Sequence, residues 1–546
     1  MSTHEVFNQP PPLEGYNAFE QDSALVEGIE RHGASWATAS VREVGLLAGG
    51  EAMAWGAQAN RHSPELRTHD RFGHRIDEVE FHPAWHRLMA ASVEHGLHAL
   101  PWRESREGAH VARVAMGYLM SQAESGHGCP ITMTFAAVPA LRAQPELAEE
   151  WIPRLTSRVY DPRCIPASQK KGALCGMAMT EKQGGSDVRA NTTSARPLAS
   201  AEGPGAEYEI VGHKWFCSAP MCDAFLVLAQ TPRGLSCFLL PRWRPDGTRN
   251  AFHIQRLKDK LGDRSNASSE VEFHGAWARM VGEEGRGVKT IIEMVSHTRL
   301  DCVMGSAALM RQAVSQAAHH AAHRSAFGKT LADQPLMQNV LADLAVEQEA
   351  ATMLLLRLAR AYDDGARNPE HRAFARIATA IAKYWVCKRT PHVVGEALEC
   401  HGGSGYVEES ILPRLFRQSP LNSIWEGSGN VMCLDVLRAM AKEPDGVAAL
   451  LGEFALARGG DRHLDAYLAR LERDLSDVAD IETRGRGLVE RLALALQGSL
   501  MVRHGHPAVT GAFIRSRIQG EHGIAFGTLP PGIDCAAIVD RARPRV

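Results

Sequence analysis

What this sequence lacks narrows its class before any motif is read. No apolar run among its 546 residues approaches the roughly 20 needed to span a bilayer, so no transmembrane helix is expected. The opening residues, Met1-Ser-Thr-His-Glu-Val-Phe-Asn-Gln-Pro-Pro-Pro12, have no basic segment followed by an apolar one, so no secretory signal is expected. The eleven Cys are scattered without a C-x-x-C pair. In a chain long enough for substantial cores, that predicts reduced, mostly buried thiols in a cytoplasm, without disulfide staples or structural zinc. An excess of one charge is missing too. The formal net charge is -3, so any nucleic-acid partner would have to be met by a local patch. There is no internal repeat and no low-complexity tract. What is there, 45% hydrophobic and 23% charged residues, is the composition of an ordinary globular protein of several domains.

Along the chain the texture changes three times. Residues 1–172 read as mostly helical: Glu80–Met89 and Val111–Gln122 carry apolar residues near three-to-four spacing, with Gly and Pro turns. Cys129–Ala137 is less polar and suits either a core or a pocket wall. In 173–280, Tyr208–Val211, Ala224–Gln230, Leu235–Pro241 and Ser269–Phe273 are short, apolar or alternating, and punctuated by Gly, Pro and Asp. They predict strands of a compact sheet or barrel. In 281–442 helical periodicity returns in four long segments, broken near Gly328, Asp364–Pro369 and Gly402–Pro413, which suggests a four-helix bundle. Residues 443–546 form a further segment with Leu464, Tyr467, Leu468, Leu471 and Leu475 on one helical face. The expectation is a mainly α chain with a central β domain.

The stretch Met177–Val188 joins the first helical region to the strands. Gly184 and Gly185 allow a tight turn whose N–H groups can face a ligand, and Thr180 and Ser186 add hydroxyls. Such donors suit a ring that gains negative charge on reduction, as a flavin does; a plain turn is the alternative. Gly212-His-Lys-Trp-Phe-Cys-Ser218, placed between the first two strand segments, carries an aromatic followed by a hydroxyl. His319, His320 and His323 could share a helical face. Without a carboxylate or Cys at matching spacing they read as a solvated face and not a metal site. The last segment divides in charge: residues 442–483 hold five Lys/Arg against ten Asp/Glu, and residues 484–546 hold nine Arg, no Lys and four Asp/Glu. A solvated surface and a phosphate-facing one both fit, since Arg is the better fork for phosphate.

Five motifs in order carry a resemblance to the acyl-CoA dehydrogenase family. Met179-Thr-Glu-Lys-Gln-Gly-Gly-Ser-Asp187 resembles its flavin-contacting M-T-E-x-x-x-G-S-D segment. Gly212–Ser218 is similar to its second flavin segment, with Phe216 at the usual Trp and Cys217-Ser218 in place of Ile-Thr. Arg324-Ser-Ala-Phe327-Gly328 with Gln334 resembles R-x-x-F-G…Q, whose Arg and Gln reach the flavin pyrophosphate of the neighbouring subunit. Glu399-Cys-His-Gly402-Gly403-Ser-Gly405-Tyr406 resembles the Q-x-x-G-G-x-G-Y/F turn near the adenosine diphosphate half, with Glu399 in place of Gln. Ser423-Ile-Trp-Glu426-Gly-Ser-Gly-Asn430 resembles Y-E-G-T, in which the Glu is the catalytic base.

The resemblance implies bound FAD. Its ring would be met by Met177, Met179, Thr180, Gly185, Ser186, Phe216, Cys217 and Ser218. The rest of the cofactor would be met by Arg324, Phe327, Gln334, Gly402, Gly403, Ser428 and Asn430, with no metal. It makes Glu426 the base that takes the α-proton of an acyl thioester, with Ile424 and Trp425 as its apolar setting. Arg299 aligns with a position that contacts the CoA end of the substrate. Arg438, twelve residues after Glu426, lies where substrate phosphate or DNA phosphate could be met; an ordinary surface salt bridge is the alternative for both.

A finer resemblance is to the AidB-type branch, associated with the adaptive response to DNA alkylation. It rests on Val6-Phe-Asn-Gln-Pro10, Cys129–Ala137, Met179–Asp187, Leu257–Gly262 with Arg264–Ser268, and Ser423–Asn430. That branch implies an N-terminal helical domain (1–172), a β-barrel-like domain (173–280), a four-helix bundle (281–442) and an appended helical domain (443–546) that is a candidate for DNA binding. It also implies a cytoplasmic homotetramer with affinity for double-stranded DNA and a secondary acyl-CoA α,β-dehydrogenation. Two functions stay open: a flavoprotein scaffold that binds duplex DNA, and a metabolic dehydrogenase of a fatty or branched acyl-CoA.

Overall fold

Where apolar residues follow one another without interruption, the chain makes strands covered on both sides. In the computed structural model, which describes residues 3–477 and 479–546, every residue from Ala224 to Ala229 is fully buried. Contacts divide the chain into two compact units: Ala52–Arg106 with Glu124–Thr298, and Met1–Glu51 with Glu107–Ala123 and Arg299–Val546.

The first of these units opens with an element the helical reading of residues 1–172 did not include. Strands β1 (Glu65–His69) and β2 (Arg75–Glu80) form an antiparallel hairpin. Their turn is set by Asp70, whose Oδ1 accepts from the N–H groups of Phe72 and His74. Seven further strands follow: β3 (Cys175–Ala178), β4 (Ser194–Pro197), β5 (Glu207–Ser218), β6 (Ala224–Thr231), β7 (Gly234–Pro241), β8 (Phe252–Leu257) and β9 (Ser268–Val281). β6 pairs parallel with β3 and antiparallel with β7, while β7 and β5 both pair antiparallel with β9. β4 pairs antiparallel with β5 and meets β6 at Ser194 and Gln230, so the ladder returns to its start as a small barrel. β8 adds to β9.

Two strand expectations are corrected. Gly212–Ser218 is not a connection between strands but the second half of β5. β8 was not expected, because His253, Gln255 and Arg256 interrupt its apolar positions. Within β5 the register against β9 shifts between Lys214, opposite Val271, and Cys217, opposite Ser269. Trp215 and Phe216 therefore share one partner position, a bulge of the kind that re-aims side chains beside functional sites. Cys129–Ala137 lies in the helix Gly128–Leu141, where Phe135, Ala136 and Ala137 are fully buried and Cys129 and Thr132 half-buried.

The other unit is a bundle of long helices: Gly287–His323, whose first turns belong to the β unit, then Pro335–Gly365 and Pro369–Glu399. The helices stop where the chain chemistry says they must. Asn368 caps Pro369–Glu399 by accepting from Glu370 N–H, with Pro369 in the first helical position. The fourth expected helix is shorter, Gly429–Lys442, because residues 400–428 hold only short turns and the helix Leu412–Gln418. Beyond it, Asp461 caps Arg462–Ser476 through His463 and Leu464 N–H, and that helix buries Leu464, Tyr467, Leu468 and Leu471, with Leu475 half-buried. The helix Ile481–His504 packs on Pro335–Gly365, Pro369–Glu399 and Gly429–Lys442, so the C-terminal residues are part of this same unit.

His319 and His320 are buried, which corrects the expected solvated face. The N-terminal segment meets His319, whose Nε2 lies 2.9 Å from Pro11 O, and the His320 ring lies 4.5 Å from that of His401. Burial first, then the neighbouring His401 and Arg324, pushes His320 down to about 4. All eleven Cys are free thiols and eight are buried. Among the described residues no helix is long and apolar enough to cross a membrane, and no cluster of His, Cys, Asp or Glu is arranged to hold a metal ion.

Candidate active site

Backbone pairing brings the two flavin-like segments side by side. Thr180 O accepts from Trp215 N–H at 2.8 Å, and Lys182 N–H donates to His213 Nε2 at 3.1 Å. Beneath them lies Glu181, fully buried. Its carboxylate accepts from Lys214 Nζ at 2.8 Å, from Thr192 N–H at 2.7 Å and from Thr193 N–H at 3.2 Å. Lys214 Nζ donates in turn to Leu228 O at 2.8 Å. Burial opposes the charge on Glu181, but Lys214 and these hydrogen bonds outweigh it and hold the carboxyl down to about 2. Neither Lys214 nor the bracing role of Glu181 was singled out from the sequence. A lysine inside a strand was the available signal.

Above that brace the turn is open. Glu181 and Gly184 exchange backbone hydrogen bonds, and Gly184 sits at φ +140 with no atom within 4 Å of where a side chain would begin. A side chain at Gly185 would strike Thr180 Oγ1 at 2.4 Å, so only glycine lets the turn close on Thr180. Met177, Met179 and Thr180 are half-buried, and Ser186 is exposed. From the β5 bulge, Phe216 is half-exposed with Lys258 Nζ 4.6 Å from its ring centre. Ser218 Oγ lies 3.2 Å from Ser268 Oγ. Cys217 is fully buried, and burial pushes its thiol up to about 12. An accessible aromatic ring beside hydroxyls and an open glycine turn is a donor set that fits a flavin ring.

In the helical unit, the Arg324–Gln334 segment is a tight hairpin, Ser325–Ala326 against Lys329–Thr330. Phe327 at its tip is 99% exposed and has φ +53, a conformation rare for a bulky residue. Arg324 donates to Asn8 O at 2.6 Å, and Asn8 bonds Ser325 twice, each at 2.8 Å. Gln334 Nε2 donates to Ala326 O at 2.8 Å. Gly402, at φ +59, and Gly403 have no atom within 4 Å of the side-chain position, which leaves their backbone open to a close ligand. Glu399 is exposed at the end of its helix.

Glu426 occupies a turn that three side chains hold. It has φ +57, and Gly427 follows at φ +99. Arg299 Nε donates to Glu426 O at 3.1 Å, and Arg299 is itself held by Asp435 at 2.8 Å. Lys383, buried in Pro369–Glu399, donates to Asn422 O at 2.9 Å and to Gly427 O at 2.7 Å. Asn422 Oδ1 accepts from Trp425 Nε1 at 2.8 Å. Of the two residues expected to give Glu426 an apolar setting, Ile424 is exposed and Trp425 half-buried. Ser428 and Asn430 flank the start of Gly429–Lys442. The Arg438 side chain is 64% exposed and 3.9 Å from Asp435, a loose surface pair. Sequence reasoning missed Lys383 and Asn422, although a lysine in the apolar run Ile377–Cys387 was a visible anomaly.

The arginine bias of residues 484–546 does not make a free cationic face. Arg484, Arg491, Arg503, Arg515, Arg517, Arg541, Arg543 and Arg545 each pair with a carboxylate. Arg517 reaches Glu347 at 3.2 Å and Arg541 reaches Glu349 at 3.0 Å, both on Pro335–Gly365. Arg517 and Arg541 thus fasten the C-terminal segment to the bundle, whereas the other six pair within residues 453–546. Arg486, over the Tyr384 ring, is the exception.

Residues 8–162 match the adaptive response protein AidB N-terminal domain, 176–276 the acyl-CoA dehydrogenase middle domain, and 285–441 the acyl-CoA dehydrogenase C-terminal domain. AidB of Escherichia coli (strain K12) is 48% identical over 526 residues, 96% of each chain. Acyl-CoA dehydrogenase family member 11 of Caenorhabditis elegans is 30% identical over 488 residues, 82% of this chain and 77% of that one. The solved structure of Caenorhabditis elegans ACDH-11 in complex with C11-CoA superposes with a TM-score of 0.83 at 28% identity, over 93% of this chain and 91% of that one. Members of the family are FAD-dependent, in keeping with the donor set around Thr180 and Phe216. The chain belongs to the acyl-CoA dehydrogenase family, in its AidB-type branch.

Proposed function

We propose that this chain is a FAD-dependent oxidoreductase of acyl-CoA thioesters in which Glu426 takes the α-proton. The observation that carries this reading is the backbone at Glu426: a non-glycine residue at φ +57, in the turn that resembles Y-E-G-T, with its own carbonyl and the next one bonded by Arg299 and Lys383. Non-glycine residues in that conformation concentrate at functional sites, where surrounding structure outweighs their strain. A carboxylate presented from a main chain held in this way suits proton abstraction, which depends on position first and basicity second. Bound FAD supplies the acceptor for the hydride leaving the β-carbon. Thr180, Ser186 and the Gly185 amide would hold the ring's pyrimidine end. Arg324, Phe327 and Gln334 would serve the cofactor of a neighbouring subunit in a homotetramer, as the bare ring of Phe327 suggests. Arg299, engaged by Asp435 and Glu426 O, would act on the base's turn more than on CoA. The substrate class is supported by the C11-CoA held by Caenorhabditis elegans ACDH-11.

The test is anaerobic mixing with a panel of acyl-CoAs. Wild-type flavin should bleach, and Glu426→Gln should slow bleaching by about 10²–10⁴ with FAD retained. Wild-type flavin that no acyl-CoA reduces would sink the reading.

A second reading, binding of duplex DNA in a cytoplasmic response to alkylation, is favoured by the AidB-type match over residues 8–162. Exposed arginines such as Arg438, Arg486 and Arg545 would carry the phosphate contacts, with little preference for sequence.

A further inference from the structure

We propose that Lys383 is a positioning residue for the base, acting through the main chain of the turn that presents Glu426. This inference rests on the reading of Glu426 as the base. Three observations converge on it. Lys383 is 1% exposed on the helix Pro369–Glu399. Its two hydrogen-bond partners are carbonyls, Asn422 O at 2.9 Å and Gly427 O at 2.7 Å, at the two ends of the turn. Between those ends lies Glu426 in the left-handed region, where an L residue is disfavoured and something must hold it.

The local chemistry explains why an ammonium stands there. At Glu426 (φ +57) and Gly427 (φ +99) the chain leaves helical geometry, and both carbonyls accept from side chains. Buried carbonyls need donors, and a charged donor makes the stronger bond. Arg299 Nε serves Glu426 O, and Lys383 serves the carbonyls on either side. Asn422 is fixed further by its side chain, which donates to Ser306 Oγ at 3.1 Å and accepts from Trp425 Nε1 at 2.8 Å. The start of the turn is thus tied to Gly287–His323 and its two ends are bridged by Pro369–Glu399. Removing the ammonium should let the peptide at 426–427 relax towards an ordinary conformation and swing the carboxylate away from its place.

The experiment uses the FAD-loaded protein, with C11-CoA as reductant. In Lys383→Met the flavin-reduction rate constant should fall about 10- to 100-fold, the cost of a misplacement near 1 Å, while the half-saturating C11-CoA concentration moves by less than about threefold. Amide hydrogen exchange should rise over residues 421–428 and stay unchanged elsewhere. Should Lys383→Met not fold, Ser306→Ala, which removes one of the two bonds of the Asn422 side chain, should show the same pattern more weakly. A Lys383→Met protein that reduces at the wild-type rate, or one that loses thermal stability while each bound flavin reduces normally, overturns the proposal. Failure of the underlying reading looks different: Glu426→Gln would then reduce as fast as wild type, whatever hydrogen exchange says about Lys383.

Discussion

Glu181 and Lys214 meet at 2.8 Å with both side chains wholly out of solvent. One belongs to the first flavin-like segment and the other to β5, and the pair ties them together directly below Thr180 and Trp215. Burying two charges is costly unless both are fully bonded. Here Glu181 also accepts from Thr192 and Thr193, and Lys214 also donates to Leu228 O. The bonds that satisfy the pair also draw the chain from Met179 to Thr193 into one shape.

Breaking the pair from one side should therefore be worse than removing it. Glu181→Gln and Lys214→Met should each destabilise by about 3–5 kcal/mol, because each leaves its partner buried and uncompensated. The double variant should lose clearly less than the sum. Urea unfolding of the four proteins checks this. Additive losses would mean that the two residues act independently.

The same pair sets an acid limb. The Glu181 carboxyl is lower in the folded protein, about 2, than its ordinary value of 4.5, so the unfolded chain takes up this proton first as pH falls. Its contribution is complete above about pH 4.5 and disappears as pH falls towards 2. The difference in melting temperature between wild type and Glu181→Gln should be constant from pH 7 to about 5 and shrink below that. A difference that widens on acidification would contradict the sign.

Flavin retention should depend on residues that hold no other large load. Thr180→Ala with Ser186→Ala should leave folding within about 0.5–1 kcal/mol of wild type, since Ser186 is exposed and Thr180 half-buried. FAD should nonetheless be released faster, or its potential shift. Arg324→Ala should also release FAD more readily, with light scattering reporting the same assembly as wild type. An Asn8→Ala control separates the cofactor role from the internal bonds of Arg324 and Ser325 to Asn8. If the control releases FAD equally fast, Arg324 acts through the N-terminal segment alone.

For DNA, the paired arginines turn the prediction towards exposed cations. Arg438→Ala should leave stability within about 0.5 kcal/mol, given its exposed position and the 3.9 Å separation from Asp435. If it meets phosphate, the variant should weaken duplex binding for all sequences and flatten log K against log salt by about one. Replacing Arg541, which is bonded to Glu27 and Glu349, should instead lower the melting temperature. An Arg541→Ala protein of unchanged stability with lost DNA affinity would reverse this assignment.

Much of the fold and part of the candidate site follow from sequence because they depend on neighbours along the chain. Alternating and continuous apolar runs specified β5, β6, β7 and β9, and three-to-four periodicity specified the long helices, since burial of a face is written into local spacing. The glycine and hydroxyl chemistry around Gly184 and Gly402 was legible for the same reason: backbone conformation is chosen residue by residue. Where a charge finds its partner is not local. Lys214 lies 33 residues from Glu181, Lys383 lies 39 and 44 residues from the carbonyls it bonds, and Arg517 and Arg541 lie 170 and 192 residues from Glu347 and Glu349. From the sequence, those C-terminal arginines were as compatible with phosphate as with solvent, and the histidines at 319 and 320 read as a solvated face. Only packing, which withdraws these groups from solvent and sets residues from distant parts of the chain beside them, decided where they go.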